Sequence, residues 1–371
     1  MFFEIGPTKN LQFPYHDVIG NLILSHDAGW QCVNGTWFKG YKHDSIAHGS
    51  WVAISADSDQ VLVKHDRFRS FPLRWHDQRL TNMPGTGDKI WSDDLVCLQG
   101  KELILSKTDV LGQFDPAPLT ADHVLDAIVF DLQVKADKLK IDLSDTPKKV
   151  FVSGGIDTAT VLALCQNKNI DCEILTHEIF EYDRFTDLNL ESIQTHHWGY
   201  NQCHHWRSPT VLISGMWGDE TFMRGPTTAS LWAAWHDINI MSMLNSSHYH
   251  GHYFRKTKNS EIFYQDWNNR HNIKQQYATH NDLVRQICNI NVNDHQIWHL
   301  GNTITWTPFK DIELTKLILR LPTQDIVDQI LTAKLSKNLI RKLSPRVLSI
   351  LSNNKNLNTR ENMHNLENIY D

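Results

Sequence analysis

The sequence has no run of apolar residues approaching the ~18 in succession that a membrane-spanning helix requires. Its first residues, Met1-Phe2-Phe3-Glu4, lack the basic-then-apolar layout of a secretory signal, so a cytoplasmic location is expected. Cysteine is sparse. The six cysteines, Cys32, Cys97, Cys165, Cys172, Cys203 and Cys288, form no CxxC pair, which argues against a disulfide framework and a structural zinc site. An excess of positive charge is also missing: 36 basic side chains stand against 42 acidic ones, for a net charge of −6, so bulk charge gives no reason to expect nucleic-acid binding. No internal repeat marks a solenoid. What remains is 371 residues, enough for two domains at ~100–200 residues each, and unusually many histidines and tryptophans, 21 and 13.

The N-terminal region reads as β-rich. Val33-Asn34-Gly35-Thr36 carries the Asn-Gly pair that a tight hairpin prefers, and Trp51–Ser55 and Gln60–Val63 flank a polar turn. A break at Asp115-Pro116-Ala117-Pro118 follows. Thr120 is then a plausible N-cap for a helix to Lys138, with Val124, Ile128, Leu132 and Val134 at near-helical spacing. A boundary is expected here, giving domains 1–116 and 117–371.

From Lys149 the texture becomes α/β. Val150–Val152 reads as a strand, Asp157–Asn167 as a helix with Val161, Leu162 and Cys165 toward a core, and Cys172–Thr176 and Val211–Ile213 as further strands. That alternation is the βαβ unit of a parallel sheet. Beyond Thr228 the pattern is mostly helical, and the Asn-rich end, 353–368, is polar enough to fray.

Between Val152 and the first of these helices lies Ser153-Gly154-Gly155-Ile156-Asp157-Thr158. Adjacent glycines let bare N–H groups approach an oxyanion, the helix N-terminus behind them favours negative charge, and Ser153 and Thr158 add hydroxyls. Asp157 adds an oxygen ligand suited to magnesium. Taken alone, a Gly-Gly turn before a helix serves any βα loop. The order of residues is more specific: SGGIDT resembles the SGGxDS loop of the PP-loop ATP pyrophosphatases, which cleave ATP between its α and β phosphates.

Further along, Ser214-Gly215-Met216-Trp217-Gly218-Asp219-Glu220 resembles the SGxGxDE loop of asparagine synthetases. Thr307–Leu314 with Leu319-Arg320-Leu321-Pro322 is similar to that family's PFLDxxL…LP segment, and 335–355 to its closing helix, loop and lysine. More faintly, Val63–Leu73, with His65-Asp66-Arg67-Phe68, resembles the RDRFGxKPL strand of the glutamine amidotransferase domain that precedes the synthetase domain. The resemblance covers most of the chain, strongly after Val150.

The resemblance implies a parallel-sheet PP-loop ATP pyrophosphatase domain with a helical C-terminal part, preceded by a β-rich α+β domain of the Ntn-hydrolase kind. It implies ATP and Mg2+. Asp157 and Asp219 would hold the metal, and Ser153, Gly154, Gly155 and Thr158 the pyrophosphate. Val152, Leu175 and Gly215 would line the nucleotide, with adenine against the ends of the strands at Val150–Val152 and Ile174–Thr176. Lys355 matches the family's lysine near the α-phosphate and the attacking nucleophile. Blander readings stand beside these: Asp219 and Glu220 could cap a helix, Asp311 could cap the next one, and Lys355 could be a solvated lysine.

Two positions depart from the family. A glutaminase of this type places Cys at the second position, where its own α-amino group serves as the base; here that residue is Phe2, and Cys32 has no terminal amine. Met216 replaces a polar residue beside the acyl-adenylate. Glutamine hydrolysis is therefore not expected, and ammonia or an amine would be the nucleophile.

The histidines at 196, 197, 204 and 205, and at 248, 250 and 252, have spacings that metal ligands can have, but no carboxylate cluster completes them, and for His196 to His205 a role in shaping an acceptor pocket is the preferred reading. Lys334, Lys337, Arg341, Lys342, Arg346, Lys355 and Arg360 form a basic segment that could be a solvated helix face, cover for a triphosphate, or a docking surface for nucleic acid. The expectation is an AMP-forming, asparagine-synthetase-like ligase acting on ATP and a small-molecule carboxylate. A PP-loop enzyme adenylating a nucleotide or nucleic-acid base, and a nucleotide-binding protein without turnover, are the rivals. Nucleic acid is not the favoured partner, no membrane is expected, and a homodimer is left open.

Overall fold

The computed structural model describes residues 2–42, 49–57, 60–66, 68, 70, 71, 73–83, 88, 89, 95–99, 102–106, 114, 117–152, 155–177, 192–195, 206–236, 238, 280–288 and 301–352. Among the described residues, the N-terminal region forms twelve short strands: β1 (Phe3–Gly6), β2 (Tyr15–Ile19), β3 (Leu22–His26), β4 (Gln31–Val33), β5 (Thr36–Tyr41), β6 (Ser50–Asp57), β7 (Gln60–His65), β8 (Arg74–His76), β9 (Arg79–Thr81), β10 (Asp88–Lys89), β11 (Leu95–Gln99) and β12 (Glu102–Ser106). They form two six-stranded sheets, in the orders β10-β8-β9-β1-β3-β2 and β12-β11-β7-β6-β5-β4. Period-two burial explains the arrangement. Phe3, Ile5, Leu24 and Leu80 from the first sheet and Val52, Ile54, Val61, Val63 and Val96 from the second enter one apolar cluster, so each sheet hides the face the other needs covered.

The expected hairpin is present. Asn34 and Gly35 sit at φ 49° and 74°, the left-handed pair that a two-residue turn with strand-matching twist requires, and Val33 pairs with Thr36 across it. The motif after β7 is anchored by Asp66, whose carboxylate accepts from the amides of Trp51 and Ser70, while Phe68, Phe71 and Leu73 are buried.

The same region holds a buried lysine. Lys39, 2% exposed, donates to Ala28 O at 2.6 Å and to Gly301 O. Burial pushes its ammonium down to about 8, against a smaller pull upward from Asp27, and burial likewise pushes Asp27 up. Unfolded, Lys39 returns to about 10.5, so between about pH 8 and 10.5 the unfolded chain holds a proton the folded chain has released. Stability contributed at this position therefore rises with pH across that window, by an amount on the order of 3 kcal/mol. Urea titrations of the wild type and of Lys39→Met should diverge there; parallel pH profiles would show that Lys39 is not the group responsible.

After Leu119 the structure becomes helical and parallel-stranded. Helix α1 (Ala121–Asp142) starts where Thr120, in extended conformation, accepts from the His123 amide. Its buried stripe is Val124, Leu125, Ile128, Leu132, Ala136 and Leu139, at 3.6-residue spacing. Val134, expected with this stripe, is instead 45% exposed, because two residues beyond Leu132 it falls on the far side of the helix.

Strand β13 (Lys148–Val152), helix α2 (Ile156–Asn167) and strand β14 (Glu173–His177) follow, then β15 (Ser192–Thr195), β16 (Thr210–Ile213) and, much later, β17 (Thr303–Trp306). β14 pairs in parallel with both β13 and β15, and the sheet order is β15-β14-β13-β16-β17. The remaining described helices are α3 (Gly218–Thr221), α4 (Pro226–Trp235), α5 (His280–Cys288), α6 (Ile312–Leu319), α7 (Thr323–Thr332), α8 (Lys334–Leu343) and α9 (Pro345–Ser352). The protein is thus mixed α/β, with two antiparallel sheets and one that contains parallel strands.

The chain divides into two compact units: residues 1–112, 199–212 and 291–306, and residues 113–198, 213–290 and 307–371. Among the described residues no helix is long and apolar enough to cross a membrane. Cys32, Cys97, Cys165 and Cys172 are free thiols.

Candidate active site

All the residues of this site belong to the second unit. The last three residues of β13, Val150, Phe151 and Val152, are apolar and buried on both faces of the strand, which leads to Gly155, the N-cap of α2 at φ −79°, ψ 159°. Asp157 lies in the first turn of α2, where the unpaired amides and helix dipole favour negative charge. The Thr158 hydroxyl donates to Gly155 O at 2.9 Å. Ser153 and Gly154 lie outside the described residues. Val152 and Leu175 are buried near the ends of the neighbouring strands β13 and β14, where Leu175 pairs with Phe151.

The second loop, 214–217, leaves β16 in a tight turn: the Met216 amide donates to Ser214 Oγ at 3.0 Å, Gly218 N to Gly215 O at 3.1 Å, and Trp217 sits at φ 73°. This turn lies directly on the start of α2. A Cβ added to Gly215 would come within 2.6 Å of the Asp157 carbonyl carbon and the Thr158 nitrogen, and one added to Gly218 would collide with the Asp157 carboxyl group. Only glycine permits backbone to meet backbone so closely. The consequence is that Asp157 and Asp219, 62 positions apart in sequence, stand side by side. Asp219 is not a side-chain cap: α3 is entered through Trp217, with no side-chain capping bond.

A third charged group completes the cluster. Arg224 is 8% exposed, and its Nη2 makes ion pairs with Asp157 Oδ1 and, at 2.9 Å, with Asp219 Oδ1. Burial pushes the Asp157 carboxyl well above the usual carboxylate range; the guanidinium pulls it back, and neighbouring Asp219 pushes it up further.

The 307–311 segment is stitched to this loop. Thr307 Oγ1 donates to Met216 O at 2.6 Å and Thr221 Oγ1 to Phe309 O at 2.8 Å, while Phe222 and Phe309 meet edge to face at 5.4 Å. The Lys310 ammonium lies over the Trp217 ring, 5.5 Å from its centroid. Asp311 is a cap, as the blander reading held: Oδ1 accepts from the amides of Glu313 and Leu314, and Oδ2 pairs with Lys135 of α1.

The structure therefore brings together Gly155, Asp157, Thr158, Gly215 and Asp219, and adds Arg224 and Lys310, which sequence reasoning missed. The available signal for Arg224 was a cation four residues after the acidic pair Asp219-Glu220, in a stretch otherwise apolar or small. Lys355 and the histidines at 196, 197, 204, 205, 248, 250 and 252 lie outside the described residues. On α8, Lys334 pairs with Asp328 at 3.0 Å, Lys342 pairs with Asp126, and Arg341 donates to Asn338, so several charges of the basic segment have local partners.

Among the described residues no group of three or more His, Cys, Asp and Glu side chains could hold a metal ion. Two carboxylates held side by side nevertheless suit magnesium, which takes one or two protein carboxylates and fills its remaining positions with water and phosphate oxygens. Compared with profiles of known protein families and with curated proteins, the chain matches none.

Proposed function

We propose that this protein is an AMP-forming ligase of the asparagine-synthetase kind, in which a PP-loop domain activates a carboxylate by adenylation for attack by ammonia or an amine. The observation that carries the reading is the seating of the 214–218 turn, which depends on Gly215 and Gly218, on the start of α2. The loop into α2 follows strand β13 and the turn follows strand β16. The loops pair Asp157 with Asp219 beside a helix N-terminus, an arrangement suited to a metal-bound polyphosphate.

In this reading the two aspartates hold Mg2+, and the metal would supply charge neutralisation as pyrophosphate departs. The chain's own contribution is positional. The α2 N-terminus and the Gly155 backbone face the phosphates, and donors fixed before the reaction stabilise charge without reorganising. The Trp217–Lys310 stack adds a cation beside the same loop. Met216, 8% exposed, offers no proton to an acceptor, which supports an acyl substrate other than aspartate. Of Cys32, Cys97, Cys165 and Cys172, the last three are buried and exposed Cys32 lies in the middle of β4, so none of these four is set up as an amine-activated nucleophile for glutamine hydrolysis.

The test is a pyrophosphate-release screen with ATP, Mg2+ and ammonia across amino acids, dicarboxylates and nucleotides, repeated with glutamine in place of ammonia. Carboxylate-dependent release of AMP and pyrophosphate is expected, with no stimulation by glutamine. Release that depends only on a nucleotide or nucleic acid would replace this reading with base adenylation. ATP binding without turnover on any pool would replace it with a non-catalytic nucleotide sensor.

A further inference from the structure

Arg224 is placed by the chain with some insistence. Its amide and that of Gly225 both donate to the Asp219 carbonyl, at 2.7 and 2.9 Å, so the arginine is folded back over the acidic residue it pairs with. The reversal is made by Met223, fully buried and held at φ 57°, a left-handed conformation that a non-glycine residue rarely adopts. One nitrogen, Nη2, serves both carboxylates, the same two groups that would hold a metal. A guanidinium does not lose its charge in a protein, so it yields those groups only by moving.

Resting on the site reading given above, we propose that Arg224 is the resident counter-cation of this site, which a divalent metal displaces, and that the displaced guanidinium then takes the oxygens of a polyphosphate. Charge arithmetic sets the direction. With both acids ionised, as metal binding requires, two carboxylates and one guanidinium leave one negative charge in a largely buried place, whereas a dication neutralises both carboxylates. Metal alone, however, takes both aspartates from a buried arginine, and that loss opposes binding. A polyphosphate offsets the loss, because its oxygens accept the planar N–H fork of the arginine. Metal and polyphosphate therefore bind cooperatively, each making the other's site available, with a coupling in the usual ~5–150-fold range. The ligand class that satisfies both halves is a metal-bound nucleoside triphosphate or its pyrophosphate product, and free metal binds poorly until one arrives.

The experiment is Mn2+ binding to the full chain, followed by the electron paramagnetic resonance signal of free Mn2+, with and without inorganic pyrophosphate. For the wild type, pyrophosphate is expected to tighten Mn2+ binding. Arg224→Met is expected to bind Mn2+ alone about 10-fold more tightly than the wild type and to lose most of the pyrophosphate effect, whereas Arg224→Lys, which keeps a cation, should stay close to the wild type. Because Arg224→Met leaves two carboxylates together, its Tm is measured as well: Mn2+ should raise it by more than it raises the wild type's. If Arg224→Met binds Mn2+ no more tightly and gains no larger Tm shift, while Asp157→Asn abolishes Mn2+ binding, the inference falls and the site reading stands. If neither wild type nor variant binds Mn2+ with or without pyrophosphate, both fall.

Discussion

The Asp157→Asn variant is expected to lose magnesium-dependent pyrophosphate release by about 10³-fold or more while keeping its fold. The substitution preserves the size of a side chain already pressed against Gly218, so the loop contact survives. What changes is charge. Asparagine offers a metal one neutral oxygen in place of a carboxylate, and the remaining ligand, Asp219, still shares Arg224. The loss should appear in kcat and should not be recovered at saturating ATP, since the metal's effect is on the transition state. Undiminished release, with an unchanged far-ultraviolet circular dichroism spectrum, would remove Asp157 from the chemistry.

The largest effect on stability is expected at Asp311. This carboxylate is fully buried and does two things: Oδ1 caps α6, with the Glu313 amide at 2.7 Å, and Oδ2 pairs with Lys135, itself 4% exposed. Asp311→Ala removes the cap and leaves a buried ammonium with Asp131, at 2.5 Å, as its remaining carboxylate. Breaking one side of a buried ion pair costs about 3–5 kcal/mol, and loss of the cap adds about 1 kcal/mol. Asp311→Asn keeps an oxygen for the cap and should lose distinctly less. Urea unfolding reads the difference as a lowered midpoint with an unchanged slope; a loss below ~1 kcal/mol for the alanine variant would mean that Lys135 readily finds solvent or another anion.

The features legible in the sequence are those fixed by near neighbours. The Asn34-Gly35 turn, the Thr120 cap and the strand–helix–strand run from Lys148 to His177 each depend on residues within a few positions of one another. Val134 shows the limit even there, since an apolar residue near the right spacing still falls outside the buried stripe when its phase is wrong. Within the site, Asp157 and Asp219 were legible because each sits in an ordered motif. Arg224 was not, because its role depends on the left-handed Met223 and on a partner 67 residues earlier. Lys39 is similar: one carbonyl it bonds lies 262 residues away, and nothing about an isolated lysine in a strand announces burial.

The close seating of Gly215 on the first turn of α2 also bears on motion. With backbone meeting backbone at that point, and Thr307 tied to the Met216 carbonyl, the 214–218 turn has no slack of its own. Fluctuations large enough to separate the two aspartates must lift the start of α2, the 214–221 turn and the strap at 307–311 in one cooperative opening. The three segments then share one opening free energy, so a ligand that bridges the aspartates would slow the breathing of backbone it never touches.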